Sequence, residues 1–85
     1  MDETTVFKAL SDPTRINILD SIKNGTKCIC EIIPYTGKSQ PNVSHHIKIL
    51  KNAGLISEEK DGTNVLIKLS NKDVFKVIEM VRRLK

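Results

Sequence analysis

The chain has no tryptophan, only Phe7, Tyr35 and Phe75 as aromatic residues, and two cysteines. With one residue between them, Cys28 and Cys30 cannot build a framework of long-range disulfides, which excludes a disulfide-stapled scaffold. No apolar run approaches the roughly 18 residues that span a bilayer, so no membrane partner is expected. There is no glycine-rich phosphate loop and no plausible Ser/His/Asp layout, and a deep pocket is not expected in so short a chain. An enzyme is therefore disfavoured. Met1-Asp2-Glu3-Thr4-Thr5 is acidic and polar, the reverse of a secretory signal. Cytoplasmic residence with both thiols reduced is the expectation.

At 85 residues the chain reads as one domain, 1–85, with a hydrophobic content of 39%. Small domains bury a modest share of their surface and often rely on a staple, a metal or a partner subunit. With long-range disulfides excluded, a partner subunit is the expected source of additional burial.

Acidic residues are missing from one long stretch. Between Ile32 and Ser57 there is no Asp or Glu, while Lys38, Lys48 and Lys51 fall inside it, in a chain of net charge +4. An acid-free basic segment suits a polyanion such as nucleic acid. Taken alone, the charge fits a solvated helix face equally well.

What is present reads as short, punctuated elements. Val6, Phe7 and Leu10 share one side of a first helix ending near Ser11. Asp12-Pro13 reads as an N-cap followed by proline in the first helical position. Ile16, Leu19 and Ile22 continue that second helix until Asn24-Gly25. A third helix is expected from about Cys28 to Tyr35, with Ile29, Ile32 and Ile33 as its apolar side and Gly37 as its end. Ser39 caps a fourth, with Pro41 in its first turn, Val43, Ile47 and Leu50 as its buried stripe, and Asn52-Ala53-Gly54 as its stop. Leu55-Ile56 opens an extended segment, Asp61-Gly62 signals a hairpin, and Val65 to Leu69 is the return strand. Asn71 caps a last helix, Lys72 to Lys85, carrying Val74, Phe75, Val77, Ile78, Val81 and Leu84. The expected fold is mostly α with a small β-hairpin wing, in the order α-α-α-α-β-β-α: a winged helix-turn-helix.

In that fold the fourth helix reads DNA. With Val43, Ile47 and Leu50 inward, Ser39, Gln40, Asn42, Ser44, His45, Lys48 and Lys51 are left for the outer face. Gln and Asn pair with adenine, Ser bonds bases or phosphates, and Lys attracts phosphate. Residues 39 to 45 are the expected base readers, and Lys48 and Lys51 the phosphate contacts. The same residues would also simply make an exposed amphipathic helix soluble. His45 should face outward. His46 should sit at the edge of the packed face as a hydrogen-bonded structural residue. In the wing, Glu58, Glu59 and Asp61 would repel phosphate, leaving Lys60, Thr63 and Asn64 as useful contacts.

The stretch from Phe7 through Lys8-Ala9-Leu10-Ser11-Asp12-Pro13-Thr14 to Arg15, followed by Ile18-Leu19, resembles the opening signature of the ArsR/SmtB family of metal-responsive repressors. Ser39 to Leu50 is similar to that family's recognition helix, and Ala53-Gly54-Leu55-Ile56 to the entry into its wing. The resemblance covers nearly the whole chain. It implies a homodimer built on the first and last helices, binding an inverted-repeat operator and releasing it when an effector binds. The last helix supports a dimer independently, because its apolar band is too wide for one small core to cover. The wing departs from the arginine-rich pattern of many relatives.

Cys28-Ile29-Cys30 lies at the expected start of the third helix, facing away from the core. A helix N-terminus favours thiolate, and thiolates favour arsenite, antimonite, cadmium, lead, zinc or copper(I). The pair resembles that of the arsenic- and cadmium-sensing members, but Ile33 stands where the arsenic sensors have a third cysteine. Two thiolates underfill a trigonal or tetrahedral site, so water, Glu31 or a second subunit would have to complete it. The zinc sensors' site on the last helix has no counterpart, because that helix contains no histidine. Three readings stay open: metal or metalloid release, thiol redox sensing, and no small effector. A disulfide across two residues of one helix would be strained, so redox sensing would call for partial unwinding or an intersubunit link. A rival of another class is a winged helix used for protein–protein contact, against which the polar face of the fourth helix argues.

Overall fold

The structure, a computed structural model, describes residues 2–84. Five helices and a three-stranded antiparallel sheet follow the order α1 (Glu3–Ala9), α2 (Pro13–Ser21), β1 (Lys27–Cys28), α3 (Ile29–Thr36), α4 (Gln40–Asn52), β2 (Ile56–Asp61), β3 (Asn64–Leu69) and α5 (Asp73–Arg82). This is a winged helix-turn-helix, with α3 and α4 as the helix pair and β2–β3 as the wing. The last helix ends at Arg82, short of the expected Lys85, which itself lies outside the described residues.

Local chemistry accounts for most boundaries. The Asp12 carboxylate accepts from the Thr14 amide at 2.8 Å, and Pro13 follows as the first helical residue. Ser39 Oγ accepts from the Asn42 amide at 3.3 Å, with Pro41 in the first turn of α4. Gly37 closes α3 at a φ of 69°, a left-handed conformation that side-chain-bearing residues resist. At α5 the side chain of Asn71 accepts from the Asp73 amide at 2.8 Å, although the formal cap position is Lys72.

Four expectations are corrected. The third helix begins at Ile29 rather than Cys28, because Lys27 and Cys28 form a strand opposite Ile67 and Leu66 of β3. The ribbon is therefore one edge of a sheet ordered β1-β3-β2, not an isolated pair. The wing turns one residue later than Asp61-Gly62 suggests. Asp61 pairs with Asn64, so Gly62-Thr63 is the two-residue loop, with glycine at its first central position at a φ of 64°. Finally, α2 stops at Ser21, before the expected Asn24-Gly25.

The core sits between α2, α3, α4 and the sheet. Ile18, Leu19, Ile22, Ile32, Val43, Ile47, Leu50 and Ile67 are fully buried. The expected α4 stripe of Val43, Ile47 and Leu50 is all inside. In α2 the stripe is shifted: Ile18 is buried while Ile16 is only partly covered. Burying one such side chain contributes about 1.5–3 kcal/mol, so α4 is held chiefly by these three residues and its polar side is free of packing duty.

Candidate nucleic-acid interface

With three inward residues anchoring it and His46 and Ile49 half-buried at the edges of that stripe, α4 turns its remaining polar residues to solvent. Gln40, Asn42, Ser44, His45, Lys48 and Lys51 are all exposed, as is the capping Ser39. At roughly 100° per residue, His45 and Lys48 lie almost opposite the Val43/Ile47/Leu50 stripe. Ser44 stands beside them, and Asn52 continues the same face at the end of the helix. The Ser39 hydroxyl already accepts the Asn42 amide, so its lone pair serves the helix while its proton remains available to a phosphate.

The wing brings a second set alongside. Lys60, Thr63 and Asn64 are exposed around the Gly62-Thr63 turn, with Glu58, Glu59 and Asp61 exposed on the same hairpin. Lys51 Nζ lies 3.6 Å from the Glu58 carboxylate, tying the last turn of α4 to the first half of β2. Both groups are solvent-accessible, so the pair adds at most about 1 kcal/mol. Its larger effect is on charge: Lys51 and Glu58 partly cancel, leaving Lys48 as the more effective cation of the helix.

His46 behaves differently from its neighbour. Its Nδ1 lies 2.9 Å from a terminal nitrogen of Arg15, and the ring is partly buried against α2. Burial holds its pKa below the ordinary 6.5; Asp12 opposes this, and Arg15, His45 and Lys38 reinforce it. For Asp12, burial raises the carboxyl, but the Thr14 amide, His46 and Arg15 outweigh it and bring it below the usual 3.8. Arg15, quoted above only as part of a sequence signature, is the residue whose contacts local reasoning missed. Its partners lie in α1 and α4, and no local pattern announces them.

The cysteines sit elsewhere, at the junction of β1 and α3. Cys28 is only 8% exposed and belongs to the strand, with extended backbone, which corrects the expectation that both cysteines stand on the helix facing away from the core. Its Sγ accepts from the Cys30 amide at 3.2 Å, while Glu31 Oε1 accepts from the Cys28 amide at 3.2 Å. Together they cap α3 reciprocally, in the manner of a capping box. Cys30 is exposed. The two sulfurs are disulfide-bonded across a Cα–Cα distance of 5.1 Å, within the ordinary disulfide range. The pair was expected to be reduced, to stand on one helix, and to need partial unwinding or an intersubunit link before it could close; Cys28 instead lies on the strand, one residue before the helix.

Once reduced, Cys28 and Cys30 offer two soft donors to a thiophilic ion, which fits the chemistry of arsenite or cadmium. They fill half of a tetrahedral shell, and no group of three or more His, Cys, Asp or Glu side chains suited to a metal occurs among the described residues.

Comparison with known proteins supports this reading of the fold. A sequence model of the bacterial regulatory proteins of the arsR family matches residues 12–58. An uncharacterized HTH-type transcriptional regulator of Methanocaldococcus jannaschii is 41% identical over 80 residues, covering 93% of this chain and 90% of that protein. The arsenical resistance operon repressor of Staphylococcus xylosus is 36% identical over 69 residues, 81% of this chain and 66% of that one. Among solved structures, a homodimeric winged helix-turn-helix DNA-binding domain from Mycobacterium bovis, a possible ArsR-family regulator, superposes with a TM-score of 0.83 at 27% identity. That match covers 95% of this chain and 75% of the other.

Proposed function

The chain belongs to the ArsR family of bacterial regulatory proteins, and we propose that it is a homodimeric repressor that reads an inverted-repeat operator with α4 and releases it when a thiophilic metal or metalloid binds Cys28 and Cys30. Relatives in this family are transcriptional regulators, not enzymes. The observation that carries the DNA-reading half is the exposed polar face of α4 opposite a fully buried stripe, with a wing beside it. Gln40, Asn42, Ser44 and His45 meet base edges, with Ser39 at the helix entrance. Lys48, Lys51, Lys60, Thr63 and Asn64 meet the phosphate backbone. No helix among the described residues is long and apolar enough to cross a membrane.

This division of labour separates two substitutions. Asn42→Ala should cost about 1–3 kcal/mol on the cognate operator and relax specificity at one base pair. Lys48→Ala should weaken all sequences alike and reduce the salt slope by about one unit. Anisotropy titrations at several salt concentrations on cognate and scrambled duplexes distinguish them. Equal losses on both duplexes for Asn42→Ala would remove it from the base readers.

The effector half rests on the paired sulfurs. A soft ion held by both thiolates would draw Cys28 Sγ away from the Cys30 amide and so disturb the cap of α3, the helix that precedes α4. Reduced protein on a fragment of its own promoter should lose at least tenfold in affinity with arsenite or cadmium, a coupling of about 1.4 kcal/mol. Cys28→Ser should abolish the response. Unchanged binding would sink the two-thiolate sensor and leave the repressor standing. No DNA binding at any salt concentration would favour a protein–protein module instead. The disulfide favours a second reading, in which oxidation of the pair is itself the signal. A difference in operator affinity between oxidised and reduced protein, with no metal added, is its signature.

A further inference from the structure

Arg15 makes three contacts that join elements far apart in the chain. Its Nε donates to the Ala9 carbonyl at 2.7 Å and a terminal nitrogen to the Lys8 carbonyl at 3.1 Å. These carbonyls belong to the last turn of α1, where the helix dipole is negative; that of Lys8 also accepts from the Ser11 amide at 3.2 Å and the Ser11 hydroxyl at 2.7 Å, so Arg15 is one of several donors there. The other terminal nitrogen reaches His46 Nδ1 at 2.9 Å, in the middle of α4. One planar, always-charged side chain thus spans the end of α1 and the helix whose outer face carries Gln40, Asn42, Ser44 and His45. Lysine's three N–H donors all radiate from one nitrogen, so they cannot reproduce the planar guanidinium fork, whose separate nitrogens reach Ala9, Lys8 and His46 at once.

We propose that Arg15 is a positioning residue for DNA binding, which locks α4 to the end of α1 through a neutral His46 and is released from it when His46 is protonated. This rests on the DNA-reading role of α4 given above. A guanidinium only donates, so His46 Nδ1 must be the accepting lone pair and its proton must sit on Nε2. A protonated ring has no lone pair to offer and places a second cation against Arg15, so the α4 end of the lock opens. The α1 end does not depend on His46 and stays in place. Because α1 also carries exposed Phe7, the lock ties the angle of α4 to an apolar surface suited to a second subunit. An inverted repeat demands a fixed angle and spacing between two such helices.

The charged groups facing His46 are Asp12 from the α1–α2 turn, Arg15 from α2, Lys38 from the α3–α4 turn and His45 from α4. Asp12 alone favours the imidazolium. Burial with the three basic groups favours the neutral ring, so His46 keeps its lone pair to a lower pH than an ordinary histidine and the lock opens as the pH falls through that lowered value.

The test is operator affinity by anisotropy between pH 8 and pH 5.5 for the full chain, Arg15→Lys and His46→Gln, with sedimentation and circular dichroism on each. Wild type should lose about tenfold on acidification. His46→Gln, whose side-chain carbonyl can accept from Arg15 but does not titrate, should lose that pH dependence. Arg15→Lys should bind about tenfold more weakly across the range while its oligomeric state and helix content match wild type. Wild-type affinity in Arg15→Lys, or an acid-induced loss in His46→Gln equal to wild type, overturns the lock. If Arg15→Lys does not fold, the His46→Gln profile decides. Failure of wild type to bind DNA at any pH overturns the DNA-reading role itself and the lock with it.

Discussion

Phe7→Glu should abolish dimerisation and weaken operator binding by about 100-fold or more. Phe7 is 57% exposed on α1, an unusual state for a phenylalanine in a chain with so few aromatics. It does not stand alone. Together with Val77, Val81 and neighbouring residues it lines two apolar clefts between α1 and α5, of about 330 and 390 Å³. Met80 at 59% exposure and Leu84 at 84% extend the same surface along α5. A contiguous apolar patch of this kind marks an association surface, and a twofold dimer would cover it on both copies at once. Each buried phenylalanine contributes about 1.5–3 kcal/mol, and a glutamate in its place brings a charge that must be desolvated in each subunit. The loss on DNA is amplified because a dimer holds its second half-site at high effective concentration, an advantage of about 10²–10⁴ that a monomer lacks. Sedimentation equilibrium and anisotropy on the inverted repeat read both effects. A Phe7→Glu protein that remains dimeric and binds normally would place the subunit contact elsewhere, and Val81→Glu would then serve as a check on the α5 half of the surface.

Leu50→Ala should destabilise the fold by about 2–5 kcal/mol, the range for a buried leucine whose cavity cannot collapse. Leu50 is fully buried where α4 turns towards the wing, and its carbonyl accepts from the Leu55 amide at 3.1 Å. The side chain belongs to the same buried cluster as Ile47 of α4 and Ile56 at the start of β2, while the backbone bond closes the end of the helix. A chain of 85 residues has a total stability of roughly 4–13 kcal/mol, so this single change removes a large part of it. The melting temperature should fall by on the order of 10 °C or more. Because dimerisation stabilises by mass action, wild type and variant must be melted at one protein concentration. Lys48→Ala, on the opposite face of the same helix, should leave the melting temperature within about 2 °C, since exposed substitutions stay near ±0.5 kcal/mol. A shift below about 5 °C for Leu50→Ala would mean that the core repacks around the loss.

Much of this molecule was legible from residues within a few positions of one another. Asp12-Pro13, Ser39 and Asn71 announce helix starts because a short polar side chain satisfies an amide two or three residues on. Val43, Ile47 and Leu50 announce the inward side of α4 because their spacing matches the helical turn, and this alone predicts which polar residues face out. Gly37 and Gly62 mark positions of positive φ that other residues resist. All these signals are complete within a local window, and the element order follows from them together with the turn chemistry.

Other features exist only in three dimensions. Lys27-Cys28 is a strand because β3 lies beside it, and two residues carry no alternation from which to read one. That pairing moves Cys28 from the helix to its cap, turning a cysteine expected at the surface into a buried one. The Lys51–Glu58 pair needs the wing folded back towards α4. The Arg15–His46 contact joins positions 31 apart, and its strength depends on burial that no neighbouring residue supplies. The sequence by itself determined where the chain makes helices, where it turns, and which face of α4 is polar, because caps, periodicity and glycine conformations act over one or two turns. Only the tertiary structure decided which exposed side chains are already engaged, where the sulfurs stand, and how α4 is held to α1. Those are long-range pairings, whose energy appears only after the intervening chain has been ordered.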